Sequence, residues 1–319
     1  MQPAHDLDTT PRGLAFLAGH AKCRTMRQAQ TASHTTGQCV VAHVESRHSS
    51  KVLASSRSPS PGSSYTSDMS ETDRRPGSET LSDPVGSFAR VADELIASFD
   101  SDLSAAVPNC PGWTTRDLLV HTGRVYAAVT AVVVARATEP VRPSPDVLLA
   151  DDATNDRALE WFVERRRAVE DALRDLDPST AVWTWSSDRT GAFYRRRMVH
   201  ETAVHLADVQ RALGLPTRID RDVCVDGIDE YFDVMVPRVI GSKTIPSGSL
   251  HLHCTDGPGE WLAVPGDSTI QVTREHAKGA VAWRGSAQSL LLAVWGRVDG
   301  DLDIIGDDSV STEWLALAP

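Results

Sequence analysis

Cysteine is scarce in this chain and never closely paired. The five cysteines, Cys23, Cys39, Cys110, Cys224 and Cys254, form no CxxC motif and keep no regular interval. Their odd number and scatter argue against a disulfide framework and favour a reducing cytoplasm. Aromatic residues are nearly missing from the first 80 positions, which hold only Phe16 and Tyr65, whereas all eight tryptophans lie at or after Trp113. Those 80 residues are crowded with serine and threonine, as in "SSRSPSPGSSYTSDMSETDRRPGSET". They lack the apolar surface to offset the entropy of ordering, so residues 1–80 are expected to be a disordered tail. No apolar run reaches the ~18 residues of a membrane span. "GLAFLAG" is too short and too weakly flanked for a secretory signal. The acid-poor, arginine- and serine-containing start fits either a transit peptide or an over-long gene start, with Met69 as the alternative first residue. An excess of basic charge is also missing. The formal net charge is −11 overall, and after residue 80 there are 36 acidic residues against 23 basic ones. An acidic folded part argues against nucleic acid or an anionic membrane as partner.

Past residue 80, hydrophobic periodicity takes over. Phe88, Val91, Ala92, Leu95, Ile96 and Phe99 recur at helical spacing. "VPNCPGW" breaks the chain with two prolines and a glycine. Thr114, with Asp117 three residues on, then opens a second helix like a capping box, running to about 137. A third helix is expected over about 156–176, with Trp161, Ala168, Ala172 and Leu176 inward and "ERRR" solvated. A fourth is expected over about 192–213, stopped by Gly214 and Pro216. Four such helices joined by loops predict an antiparallel four-helix bundle over 81–214. From 219 to 319 the pattern changes. A helical stretch, "RDVCVDGIDEYFDVMVPRVI", precedes the strand-like "SLHLHCT", "EWLAV", "TIQVT" and "AVAWRG", a short apolar helix "SAQSLLLAVWGR" and a last strand "LDIIG". The fold class is therefore α+β, a helical bundle followed by a smaller α+β domain.

"HETAVHLADV", residues 200–209, superficially resembles a zinc-protease helix. That motif needs two histidines four apart. His200 and His205 are five apart, about 140° around a helix, so one ion cannot take both from the same turn. Glu201 and His205, at i and i+4, do share a face, and Asp208 extends it. Such a pair is either a metal pair lacking a third ligand or a polar pair on a solvated face. His121, on the second helix between Leu118 and Val125, is either that third ligand or a core histidine. Together the three would form a His₂Glu set with one open position, the layout of a catalytic zinc site, with Asp208 orienting a ligand from behind. His200 reads as a neighbouring or exposed residue. His251 and His253 share a strand face and read as a polar face rather than a metal site, and His276 stands isolated. Cys110 reads as packing.

From about Phe88 to Pro319 the chain resembles the mycothiol-dependent maleylpyruvate isomerase family, a branch of the DinB-like metal-binding bundles. The segments carrying the resemblance stand in order: "VPNCPGWTTRDLLVHTG", "HETAVHLADVQRALG", "VDGIDEYFDVMVPR", "LHLHCTDGPGEW" and "WRGSAQSLLLAVWGR". The tail has no counterpart. The resemblance implies zinc held by His121, Glu201 and His205, mycothiol as cofactor, and Arg297 of "WGR" as an active-site arginine from the C-terminal domain. Taken alone, Arg297 is an ordinary helix-end arginine. The implied chemistry is addition of a zinc-activated thiol to a cis double bond, rotation, and elimination to the trans isomer, with Arg297 suited to a substrate carboxylate. Fold does not fix substrate. A mycothiol S-transferase acting in detoxification and a non-catalytic metal or small-ligand binding protein remain alternatives. The expected partners are a small-molecule substrate and a low-molecular-weight thiol, with no nucleic acid and no membrane; the oligomeric state is left open.

Overall fold

The structure, a computed structural model, describes residues 81–298 and 300–319. The expectations for the tail, including disorder and the role of Met69, lie outside the described residues. Helix α1 (Pro84–Phe99) begins with Asp83 capping the Gly86 amide and Pro84 at its first position, where a missing N–H costs nothing. Helix α2 (Thr115–Val134) starts at the expected capping box, with Thr114 and Asp117 each accepting from the other's backbone. Helices α3 (Asn155–Asp175) and α4 (Gly191–Ala212) complete the bundle, in which α1 packs chiefly on α4 and α2 on α3. Gly214, at φ +66, ends the fourth helix in the left-handed conformation that glycine adopts without strain.

Two local expectations need correction. The inward stripe of α3 is Ala158, Trp161, Phe162, Val169 and Leu173, whereas Ala168 and Ala172 are only half-buried. The large side chains Phe162, Val169 and Leu173 win the core-facing positions because they remove more apolar surface from water than alanine does. The "ERRR" segment is also only partly solvated, since Arg166 folds down to pair with Asp93 and Glu170. Helix α2 is long and apolar enough to cross a membrane by length and composition alone. Its apolar residues Leu118, Leu119, Val125, Tyr126, Val129, Val132 and Val133 are bundle core.

Helix α5 (Arg221–Glu230) runs through a π-type turn at Tyr231–Met235 into α6 (Val236–Val239), where Pro237 lacks the N–H for a regular ladder. A five-stranded sheet follows, in the order β3-β2-β1-β4-β5. Its strands are β1 (Leu250–Cys254), β2 (Glu260–Pro265), β3 (Ile270–Thr273), β4 (Val281–Gly285) and β5 (Asp303–Gly306). Only the β1–β4 pair is parallel. Helix α7 (Ala287–Val294) follows β4. A helix not anticipated from the sequence, α8 (Asp308–Ala316), closes the chain. Asp307 caps α8 through the amides of Ser309 and Val310, and the helix buries its own Trp314. Leu250, Leu252, Trp261, Ala263, Val281 and Trp283 point to the buried face of the sheet and join the bundle residues in one continuous apolar core.

Helix α4 decides how the two halves meet. Every residue from Arg197 to Gln210 is buried, although the segment includes five charged or titratable side chains. Each finds a partner, as burial of charge requires. His200 is a correction of this kind: it is neither exposed nor a bystander. Its ring lies on the far side of α4 from His205, as the five-residue spacing dictates, and Nε2 is 2.7 Å from Asp226 Oδ2 on α5. Arg196 donates to the same carboxylate at 2.9 Å.

Candidate metal centre

The capping box fixes the first turn of α2, and His121 follows two turns in on the face shared by Leu118 and Val125. That face meets the stripe of α4 carrying Glu201, His205 and Asp208. His121 Nε2 lies 3.6 Å from Glu201 Oε1, and His205 Nε2 lies 3.3 Å from the same oxygen. The two imidazoles stand edge to face, with centroids 5.2 Å apart. Tetrahedral zinc with bonds of ~2.0–2.1 Å needs donors about 3.3 Å apart. The donor set therefore fits a divalent metal in both chemistry and spacing.

Behind the donors lies a charged scaffold. His205 Nδ1 is 3.4 Å from Asp208 Oδ2. Arg297, which follows α7, donates through Nε to Asp208 Oδ1 at 3.1 Å and through Nη2 to Oδ2 at 2.8 Å. Its Nη1 donates to the Trp295 carbonyl at 2.6 Å. The fork expected to serve a substrate carboxylate is thus engaged with Asp208, because a carboxylate with no solvent exposure needs a counter-charge. Burial pulls the Asp208 pKa upward, but Arg297 and His205 outweigh it and hold the group below the usual carboxylate range. Burial would likewise depress His205, yet the Asp208 and Glu201 carboxylates prevail and raise it to about 9.

Several contributors were not singled out in the sequence. Asn109, in the "VPNCPGW" loop, donates to Asp208 Oδ1 at 3.0 Å. Trp113, from the same loop, lies 5.3 Å from the His121 ring. Arg197 donates to Glu201 Oε2 at 2.8 Å, also pairs with Glu230, and stacks 5.2 Å from Trp295. Arg197 had a readable signal, since it sits four residues before Glu201 and extends the same stripe. Asn109 and Glu230 had none, because loop and inter-helix contacts leave no periodic trace. Cys110, Cys224 and Cys254 are all buried. His276 is not isolated: the fold brings it to His251, His253 and Glu260, so these histidines form a second cluster rather than a plain polar face.

Comparison with known proteins identifies the family. Residues 85–210 match the family model described as the mycothiol maleylpyruvate isomerase N-terminal domain, and residues 222–316 match that of the MDMPI C-terminal domain. Two similar solved structures are a mycothiol-dependent maleylpyruvate isomerase (TM-score 0.50) and a histidine-to-alanine mutant of a mycothiol-dependent maleylpyruvate isomerase (TM-score 0.52). Each is 13% identical to this chain, with 69% of this chain and 91% of the other covered. No curated protein matches the sequence. With both domain models matched in order along most of its length, the chain belongs to the mycothiol-dependent maleylpyruvate isomerase family.

Proposed function

We propose that this protein is a zinc-dependent, mycothiol-using isomerase of a small unsaturated acid of the maleylpyruvate type, working in the cytoplasm. In this reading His121, Glu201 and His205 hold the metal, at the junction of the bundle (81–214) and the C-terminal domain (219–319). The observation that carries it is the convergence of two imidazoles on one carboxylate oxygen at 3.3 and 3.6 Å. Bound there, zinc would supply the Lewis acidity that lowers a thiol's pKa, and mycothiol would supply the thiol whose addition turns a cis double bond into a single bond, free to rotate before elimination restores it as trans.

The chain's own residues set up that chemistry. Arg197 ties down Glu201 Oε2, leaving Oε1 facing the histidines. Asp208 accepts from His205 Nδ1–H, and the second proton, on Nε2, the atom that faces the site, would be displaced by a bound metal. Arg297 and Asn109 hold Asp208 in turn, so Arg297 positions rather than reacts. Trp113 packs against one side of His121, with ring centroids 5.3 Å apart. Two of the described cysteines are poorly suited to the nucleophile's role. Burial pushes the Cys254 thiol up to about 11 and Cys224 well above its ordinary value, which disfavours a thiolate at either.

The test is metal content of tag-free protein, together with turnover of maleylpyruvate with and without mycothiol, for wild type and His205→Ala. About one zinc per chain that depends on His205, and thiol-dependent turnover without net thiol consumption, are expected. Stoichiometric consumption of thiol would point to an S-transferase instead. Metal binding without thiol-dependent turnover would point to a binding protein. Full activity after chelation would sink the metal assignment.

A further inference from the structure

The outer face of the C-terminal sheet carries a second cluster. Strand β1 alternates, sending Leu250, Leu252 and Cys254 to the core and His251 and His253 to the opposite face. Register pairs His253 directly with Glu260 of β2, so both point the same way. The segment after β3 then brings in His276. Glu260 sits at the centre: Oε1 is 3.0 Å from His253 Nδ1, while Oε2 is 3.2 Å from His251 Nε2 and 2.7 Å from His276 Nδ1. The three rings form a nearly regular triangle with centroids 5.5, 5.9 and 6.1 Å apart. They are steeply inclined to one another, at 56–84°. One candidate ligand atom from each of the four residues lies within 4.8 Å of all the others.

We infer that this cluster is a second, structural metal site, taking a first-row divalent cation such as Zn²⁺ on His251, His253, Glu260 and His276. Donors in a tetrahedral zinc site are about 3.3 Å apart, so the present spacing closes onto an ion by side-chain adjustment alone. Three imidazoles and one carboxylate select zinc, nickel, cobalt or copper over magnesium and calcium, which prefer an all-oxygen shell. Four protein donors fill a tetrahedral shell and leave no open position, which marks a structural rather than a catalytic centre. The ion would clasp three segments: the two strands of a hairpin and the link between β3 and β4. The His276 side chain is 79% exposed, and the link is otherwise tied down by Arg274 near its start and by Ala280 at its end, whose amide donates to Ser249 Oγ at 3.0 Å. Arg274 pairs with Asp229 of α5 and lies 4.7 Å from the Trp261 ring.

The site is separate from the one between α2 and α4, and the test keeps the two apart. Tag-free full-length protein is stripped with EDTA and then dialysed against Zn²⁺. Bound zinc is counted by mass spectrometry in four proteins: wild type, His205→Ala, His253→Ala/His276→Ala and the triple variant. Melting temperature is recorded for each with Zn²⁺ and with EDTA. In either background, removing His253 and His276 is expected to lower bound zinc by one per chain and to make the zinc-induced rise in Tm, taken relative to EDTA for each protein, smaller than in its parent. Equal zinc stoichiometry with and without these two histidines would overturn the site. His276→Ala alone, at an exposed position that does not endanger folding, should weaken this zinc at least about tenfold; unchanged affinity would count equally against it.

Discussion

Asp208→Asn is nearly isosteric, so it opens no cavity and isolates charge. Asp208 has no solvent exposure and Arg297 only 7%. The carboxylate receives two bonds from Arg297 and one from Asn109, and faces His205 Nδ1. An amide has one accepting oxygen, so its nitrogen must face a donor, and the buried guanidinium loses its Asp208 counter-charge. Removing one partner of a buried pair costs about 3–5 kcal/mol, a large share of the ~5–15 kcal/mol that holds a domain folded. Denaturant unfolding followed by fluorescence of the eight tryptophans would measure it. Arg297→Met in the same background removes the stranded charge, and the double variant should recover most of the loss, because an apolar replacement of a buried pair is often neutral. Zinc affinity tells a different story, since the double variant still lacks the carboxylate that orients His205. Binding should remain about 10–100-fold weaker than in wild type. If Asp208→Asn unfolds within about 0.5 kcal/mol of wild type, the buried pair carries none of the stability ascribed to it. Unchanged zinc affinity would reduce Asp208 to a packing residue.

Two further outcomes are expected elsewhere. For Asp226, burial pulls the pKa up, but the His200 ring and Arg196 outweigh it and hold it below the ordinary value. A depressed carboxylate stabilises above its unfolded pKa of about 3.9, and that contribution is lost as pH falls through the lower folded value. Asp226→Asn should therefore lose about 3 kcal/mol at pH 7, with the gap to wild type closing below about pH 4; a gap independent of pH down to that range contradicts the ion-pair account. Gly123→Ala should destabilise by about 1–3 kcal/mol, although alanine is the better helix former. A Cβ there would meet Trp161 at 2.3 and 2.5 Å, and a raised Tm would show that α2 and α3 pack less closely than described.

Much of the bundle was written locally. Helical spacing marked α1, the Thr114–Asp117 pair marked the start of α2, and Gly214 marked the end of α4. The shared face of Glu201, His205 and Asp208, and the separation of His200 from it, followed from 100° per residue alone. Helix α8 escaped because nine residues after a strand carry too few turns for periodicity to speak. The α3 stripe was misjudged by its alanines, which fit either side of a helix, while Phe162, Val169 and Leu173 were fixed by what they met. The sequence by itself determined which residues share a helix face or a strand face, because that depends only on backbone geometry within a few residues. Only the tertiary structure decided that His121 faces Glu201, that Arg297 crosses from one domain to hold Asp208, that Arg197 reaches Glu230, and that His276, just after β3, joins two histidines on β1. These contacts span from 23 to 89 residues, and all but those of the exposed His276 are chosen by the burial of charge, which no local pattern records.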